Sequence, residues 1–482
     1  MPSLSSQDRE FFTLVSQAVY ENPFGEERDR LDTQIAQADA KGPELMERLI
    51  HRVEERLRTL VGDGEAVPDY EPEDRALLEH GLLFATFHRF VPEIDTLIAD
   101  QRDRKGKDAS APFAPAALGY LTRAGYHEPR AIRMLELFFQ MRRAWMFIGT
   151  GLVGQSRSMR RLREHCWDSV FTHDIRRYDR FLWNRMEDFS TILLGETGTG
   201  KGAAAAAIGL SGFIEYEPKT QSFAQSFDKT LISINLSQFP ETLIESELFG
   251  HKKGAFTGAV DSHEGVFARC CPHGAIFVDE IGEVSVPVQI KLLRVLQERV
   301  FSPVGSHEER RFEGRVIAAT HRPLDELRES GSFRDDFYYR LSANVITVPR
   351  LAQRLEEAPA ELSELIAALL PRLVGESTAE LEAEVKAAID RDLGPSYPWP
   401  GNVRELEQCI RRVLLTQRCQ PDSRRREEEP ETLAQEIQAG ALTAEALVAR
   451  YCKVLYEKHG TYVEVAKLTG LDRRTVRKYI QD

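Results

Sequence analysis

A lysine that closes a run of closely spaced glycines can hold a polyphosphate, and Gly195-Glu196-Thr197-Gly198-Thr199-Gly200-Lys201 is such a run. Glycines let successive backbone N–H groups turn inward around phosphate oxygens, and the lysine adds a positive charge at the β- and γ-phosphates. The next position, where the general pattern places a hydroxyl that touches Mg²⁺, is Gly202. Downstream, Ala275-Ile276-Phe277-Val278 ends in Asp279-Glu280. Asp279 there can hold Mg²⁺, directly or through water, while Glu280 can draw a proton from an attacking water. Either motif alone also fits an ordinary turn. Both, in this order, predict a chain that binds and hydrolyses a nucleoside triphosphate.

Such residues need a sheet to carry them. Thr191–Leu194 leads into the glycine loop and an alanine-rich helix follows it, so the order is strand, loop, helix. Further strands are expected at Leu231–Ile234, Ile276–Asp279, Val316–Thr320 and Val345–Val348, separated by helical patterns such as Val286, Ile290, Leu293, Leu296 and Val300. That alternation predicts an α/β domain with a parallel sheet covered on both faces, and ligands bind such sheets at the C-terminal ends of the strands. Residues 1–150 read instead as helices, at Leu45 to Leu60, Leu77 to Phe90 and Ala131 to Phe147, with a loop from Gln101 to Pro115. No strand there ends in a lone Asp, which excludes a phosphoacceptor receiver domain.

At 482 residues the chain needs several cores. The organisation expected is a helical N-terminal regulatory domain at 1–150, an α/β domain at 151–350, a helical lid at 351–418, a charged linker at 419–440 and a helical DNA-binding unit at 441–482. There is no apolar run of the ~18 residues that a membrane span requires and no leader pattern at the N-terminus, so a soluble cytoplasmic protein is expected, without membrane contact. The six cysteines show no metal-binding spacing and read as separate thiols. A net charge of −13 excludes a surface that is basic throughout, so contact with DNA must come from a local patch. The last residues supply one. Val465, Ala466, Gly470, Leu471 and Val476 fit a helix-turn-helix, whose second helix presents Arg473, Arg474, Thr475, Arg477 and Lys478. From Arg450 onward there are eight Lys and Arg against four Asp and Glu.

Gly250-His251-Lys252-Lys253-Gly254-Ala255-Phe256-Thr257-Gly258-Ala259, the Glu241–Phe249 segment before it and Tyr397–Leu406 resemble the sigma-54-dependent transcription activators, bacterial enhancer-binding proteins of the AAA+ ATPase class with a Fis-type helix-turn-helix. The resemblance runs from about Leu152 to Gln417 and resumes at the C-terminal end. It implies ATP and Mg²⁺ as cofactors, a hexameric ring, and as partners the sigma-54 RNA polymerase and upstream enhancer DNA. It implies that Gly254, Ala255, Phe256, Thr257, Gly258 and Ala259 form a loop touching sigma-54. By the same resemblance Asn235 is a switch holding Glu280 away from water, Arg334 and Arg340 are arginine fingers for a neighbouring subunit, Thr320 is at the first sensor and Arg404 senses nucleotide from the lid. Gly202 replaces a usual Glu, His321 stands where Asn is commoner, and Cys166–Phe189 is longer than its counterpart. Two other readings stay open: a DNA-binding regulator whose ATPase is weak or vestigial and which acts independently of sigma-54, and an AAA+ enzyme remodelling other proteins.

Overall fold

The computed structural model describes residues 2–38, 40, 42–62, 67–103, 109–419, 443–459 and 461–481. Its centre is a five-stranded parallel sheet of β1 (Thr191–Leu194), β2 (Leu231–Asn235), β3 (Ala275–Asp279), β4 (Arg315–Thr320) and β5 (Asn344–Thr347), ordered β2-β3-β4-β1-β5. These are the expected strands, with ends moved by a residue. Alternate side chains leave a strand on opposite faces, and here both faces are buried. Leu193, Phe277, Ile317, Ala319 and Ile346 enter one core; Ile192, Ile276, Val278, Val316 and Ala318 enter the other.

The second core is closed by α9 (Glu241–Phe249), α10 (Val286–Glu298) and α11 (Asp335–Leu341). The first is closed by α6 (Glu128–Gly149), α7 (Arg157–Phe171) and α8 (Lys201–Gly209), the last a run of alanines, the strongest helix former. Residue 150 therefore marks a change of secondary structure but not of packing, because α6 lies in the same core as the sheet.

Before α6 come α1 (Ser6–Tyr20), α2 (Glu26–Ala36), α3 (Gly42–Val61), α4 (Pro72–Asp103) and α5 (Ala114–Arg123). The first three pack on the start of α4 around Phe12, Leu49, Val53 and Leu78. The sequence pattern ended the fourth helix near Phe90, yet α4 runs through Pro92 to Asp103. A mid-helix proline costs one backbone hydrogen bond, and burial of Ile94, Leu97 and Ile98 offsets it. Part of the expected loop 101–115 is thus helix; 104–108 lie outside the described residues. Beyond them Ala109 and Ala111 hydrogen-bond to Phe223 and Gln221.

The lid consists of α12 (Leu351–Glu357), α13 (Glu361–Val374), α14 (Ala379–Asp392) and α15 (Asn402–Thr416), around Leu351, Leu370, Ile389, Leu406 and Ile410. Arg354 and Glu361 form an ion pair buried in it, and Glu361 also accepts the Ser156 N–H at 2.8 Å. Cys409 and Cys419 are joined as a disulfide, contrary to the reading of six separate thiols. The chain reverses at Gln417 (φ +56°), which returns Cys419 to the face of α15 that holds Cys409. The linker expected at 419–440 lies, apart from Cys419, outside the described residues. α16 (Ala444–His459), α17 (Tyr462–Thr469) and α18 (Arg473–Gln481) close on Cys452, Val465 and Val476. Among the described residues no helix is long and apolar enough to cross a membrane.

Candidate nucleotide site and its effector surfaces

The glycine loop leaves β1 with three residues in a backbone region that side chains resist: Gly195 at φ +155°, Gly198 at +81° and Gly200 at +106°. At Gly198 the need is doubled, since a Cβ would strike the Gly401 carbonyl and lie 2.9 Å from Arg404 Cβ. Lys201, at the N-terminus of α8, donates from Nζ to the carbonyls of Gly195 (2.8 Å) and Glu196 (3.0 Å). The loop thus closes around its own lysine. Burial lowers the Lys201 pKa, and the charges of Glu280 and Asp279 oppose that shift. Thr199 Oγ1 donates to the Glu196 carbonyl at 2.9 Å, while Thr197 receives the lid. Gly202 is exposed on the first turn of α8 and brings no oxygen ligand.

Register assembles the acidic edge. Asn235 pairs with Asp279 across β2 and β3, and Asp279 with Ala319, one residue before Thr320. Asn235 Nδ2 donates to Asp279 Oδ2 at 3.3 Å. The resemblance placed this amide on Glu280; the structure places it on Asp279, its register neighbour. Glu280 sits in the left-handed region at φ +59° and its Oε2 lies 2.8 Å from His321 Nδ1. A non-glycine residue in that conformation costs about 1–3 kcal/mol and marks a constrained site. His321, noted in the sequence only as a departure, is thus the side chain that holds Glu280. Burial raises the Asp279 pKa first and the adjacent Glu280 charge second. Thr320 is fully buried and its Oγ1 accepts the Arg322 N–H at 3.1 Å.

The lid touches the loop through a residue that the sequence reading did not single out. Asn402 is buried at φ +53°; its Oδ1 accepts the Leu351 N–H at 2.7 Å. Its Nδ2 donates to Glu196 Oε2 (3.0 Å) and the Thr197 carbonyl (3.2 Å). Val403 N–H adds a bond to the Gly198 carbonyl at 3.0 Å. The Asn402 side-chain amide and the Val403 N–H therefore join lid and loop, and the sequence signal for Asn402 was its place after Gly401. Arg404 is exposed beside Gly198.

For Mg²⁺, a hard cation that takes oxygen ligands, Asp279 fits as the one carboxylate ligand with phosphate oxygens completing the set. The two arginines are engaged elsewhere on their own chain. Arg334 is half-exposed and pairs with Asp336 at 2.7 Å. Arg340 donates twice to the Leu296 carbonyl, at 2.9 and 2.8 Å.

The loop 254–259 projects from two anchors. His251 exchanges backbone bonds with His263, both at 3.0 Å, and Lys252 N–H reaches the Val304 carbonyl at 3.1 Å. Gly254 (φ +80°) and Gly258 (φ +104°) turn it, and Gly254 N–H to the Ala259 carbonyl, at 2.9 Å, closes it. Ala255 rests on Gly305 and Ala259 is buried, while Phe256 is 37% exposed against the His251 ring and Thr257 is open. In the C-terminal unit Gly470 (φ +69°) makes the turn, and Arg473, Arg474, Arg477 and Lys478 are exposed along α18 with Thr475 half-buried.

Loop after β1, acids after β3, the strand order and a helical lid docked on the loop define a P-loop ATPase fold of the AAA+ class. Residues 174–347 match the family described as Sigma-54 interaction domain. The chain is 40% identical over 265 residues to the Nif-specific regulatory protein of Azotobacter vinelandii, covering 55% of this chain and 44% of that protein. It is 41% identical over 228 residues to the transcriptional regulatory protein GlrR of Escherichia coli K12, covering 46% and 47%. With the Nif-specific regulatory protein of Bradyrhizobium diazoefficiens it shares 43% over 225 residues, covering 46% and 35%. Each match spans less than half of the relative's length.

Proposed function

We propose that this protein is an ATP-hydrolysing transcription activator that remodels sigma-54 RNA polymerase at a promoter while α18 holds upstream DNA. The observation that carries the reading is a closed glycine loop and the pair Asp279-Glu280 in the same domain as a projecting Phe256-Thr257 tip. Bound Mg²⁺, on Asp279 and the phosphates, would neutralise charge developing at the γ-phosphate. Lys201 leaves its loop carbonyls for the phosphates, and Glu280, released from His321, orients and deprotonates the attacking water. Arg334 or Arg340 of an adjacent copy supplies the remaining positive charge, which requires a ring, hexameric by family resemblance. Thr320 and Arg404 lie where the phosphate state can be passed to sheet and lid. Lys and Arg of α18 pair with phosphates and base edges, and the assembly works in the cytoplasm.

The test is promoter opening by Thr257→Ala on a sigma-54 template. ATP turnover is retained and open complexes are lost; normal opening by this variant overturns the proposal. Nothing observed favours the sigma-54-independent alternative.

A further inference from the structure

Cys270 and Cys271 are neighbours in the turn that leads into β3, at the end of the strand opposite to Asp279. Neither belongs to the disulfide, and both are half-buried beside the exposed Pro272. Adjacent Cα atoms are about 3.8 Å apart, short of the roughly 4.4–6.8 Å that a disulfide spans, so the pair does not readily close on itself. Two thiols are thus kept side by side.

Glycines make the room for them. A Cβ on Gly274 would lie 2.7 Å from Cys271 Sγ and 3.2 Å from Cys270 Sγ, so one small space borders both sulfurs. A Cβ on Gly314, just before β4, would lie 2.6 Å from Cys270 Sγ. What the sulfurs touch holds them weakly. Cys270 Sγ faces the Cys271 carbonyl at 3.6 Å. Cys271 Sγ faces the Lys229 carbonyl at 3.4 Å and accepts from Gln225 Nε2 at 3.1 Å. A thiol is a poor hydrogen-bonding group, whereas a thiolate is a strong ligand for soft cations. Burial pushes the Cys270 thiol up to about 12 and raises Cys271 as well, so a cation that takes the pair must displace their protons.

The surroundings choose the cation. His273, in the same turn, sets its ring against Phe213, with centroids 5.6 Å apart. No group of three or more His, Cys, Asp or Glu is placed to hold a metal among the described residues. Zinc, which takes at least three protein ligands, is therefore not served, and hard cations prefer oxygen. A soft ion content with two sulfurs is served.

We propose that Cys270 and Cys271 form a two-thiolate site for a soft, two-coordinate cation of the copper(I) class. Two Cys–SH and one Cu⁺ give one Cu(S–Cys)₂⁻ and two H⁺, and no electron changes hands. The missing side chain at Gly274 leaves the ion its place between the sulfurs.

The probe is Cu(I) alone, titrated without oxygen into the full chain against the chromophoric chelator bathocuproine disulfonate. Cys409→Ser with Cys419→Ser is the background, so that no second thiol pair competes. That chain takes one Cu(I) from the chelator. Cys270→Ser and Cys271→Ser, made singly, each lower the affinity at least about a hundredfold, because one thiolate remains. Cys166→Ser leaves it unchanged. Far-UV circular dichroism shows each variant folded. Neither ATP nor DNA is present, so the result is independent of the proposed function. No uptake from the chelator, uptake that survives Cys270→Ser or Cys271→Ser, or loss of uptake in Cys166→Ser overturns the proposal.

Discussion

Arg143→Met tests whether the N-terminal helices brace the glycine-loop helix. Arg143 is fully buried, lies 4.4 Å over the Phe139 ring and donates to the carbonyls of Leu210 and Gly212. These carbonyls lie at the C-cap of α8 and just beyond it, where the helix dipole favours a cation. Burial pulls the Arg143 pKa down to about 9, so the site disfavours the charge it holds. Two hydrogen bonds from a charged donor are worth about 3–6 kcal/mol, and relief of the buried charge returns part of it. A net loss of about 2 kcal/mol follows, which is about thirtyfold in local opening. Amide hydrogen exchange at Leu210 and Ser211 reads it directly, since both N–H groups bond within α8 (to Ala206 and Ile208). Arg142→Met is the control: its partner is Asp95, at 2.6 Å on α4, and α8 exchange stays unchanged. Exchange in Arg143→Met within twofold of the parent chain refutes the reasoning.

Asn402→Ala removes the amide that joins lid to loop while leaving the Val403 bond. ATP affinity falls about tenfold, the cost of roughly one net kcal/mol or slightly more, and fluorescent-nucleotide titration checks it. Acid stability follows from His88. Burial first, then the charges of Arg28 and Arg142, lowers its pKa from 6.5 to about 3. Below pH 6.5 the unfolded chain therefore takes up a proton that the folded chain refuses. Stability from this group is full above 6.5 and falls toward pH 3 by at most about 1.4 kcal/mol per unit. Urea unfolding of His88→Phe across that window shows a flatter dependence.

Local chemistry made the nucleotide site legible. The loop and Asp279-Glu280 are contiguous runs whose glycines and apolar strand declare their own geometry, and all five strands lay where alternation put them. What escaped was long-range. Asn402 meets Glu196 across 206 positions, and Arg315 reaches Ser169 across 146, from the stretch that had no account. That stretch turns out to wedge between α6 and the sheet, Tyr178 bonding Gln140 of α6 and Ser169 accepting from Arg315 of β4. The contacts of Asn235 and Glu280 were not legible either, because register, invisible in one strand's sequence, sets Asn235 against Asp279 and leaves Glu280 beside His321. Pro92 misled because local propensity stops a helix that a buried face continues.

The central claim is that each site is completed by a neighbour, and subunit mixing tests it most directly. Glu280→Gln lacks its base but keeps its arginines; Arg334→Ala, with Arg340→Ala beside it, lacks the arginines but keeps its base. Each preparation alone turns ATP over at least about a hundredfold more slowly than the parent chain. Mixed, they regain a measurable share, because a Glu280→Gln subunit lends arginine to an intact base next to it. A mixture no faster than its parts, or an arginine-free chain that still turns over at the parent rate, contradicts the account.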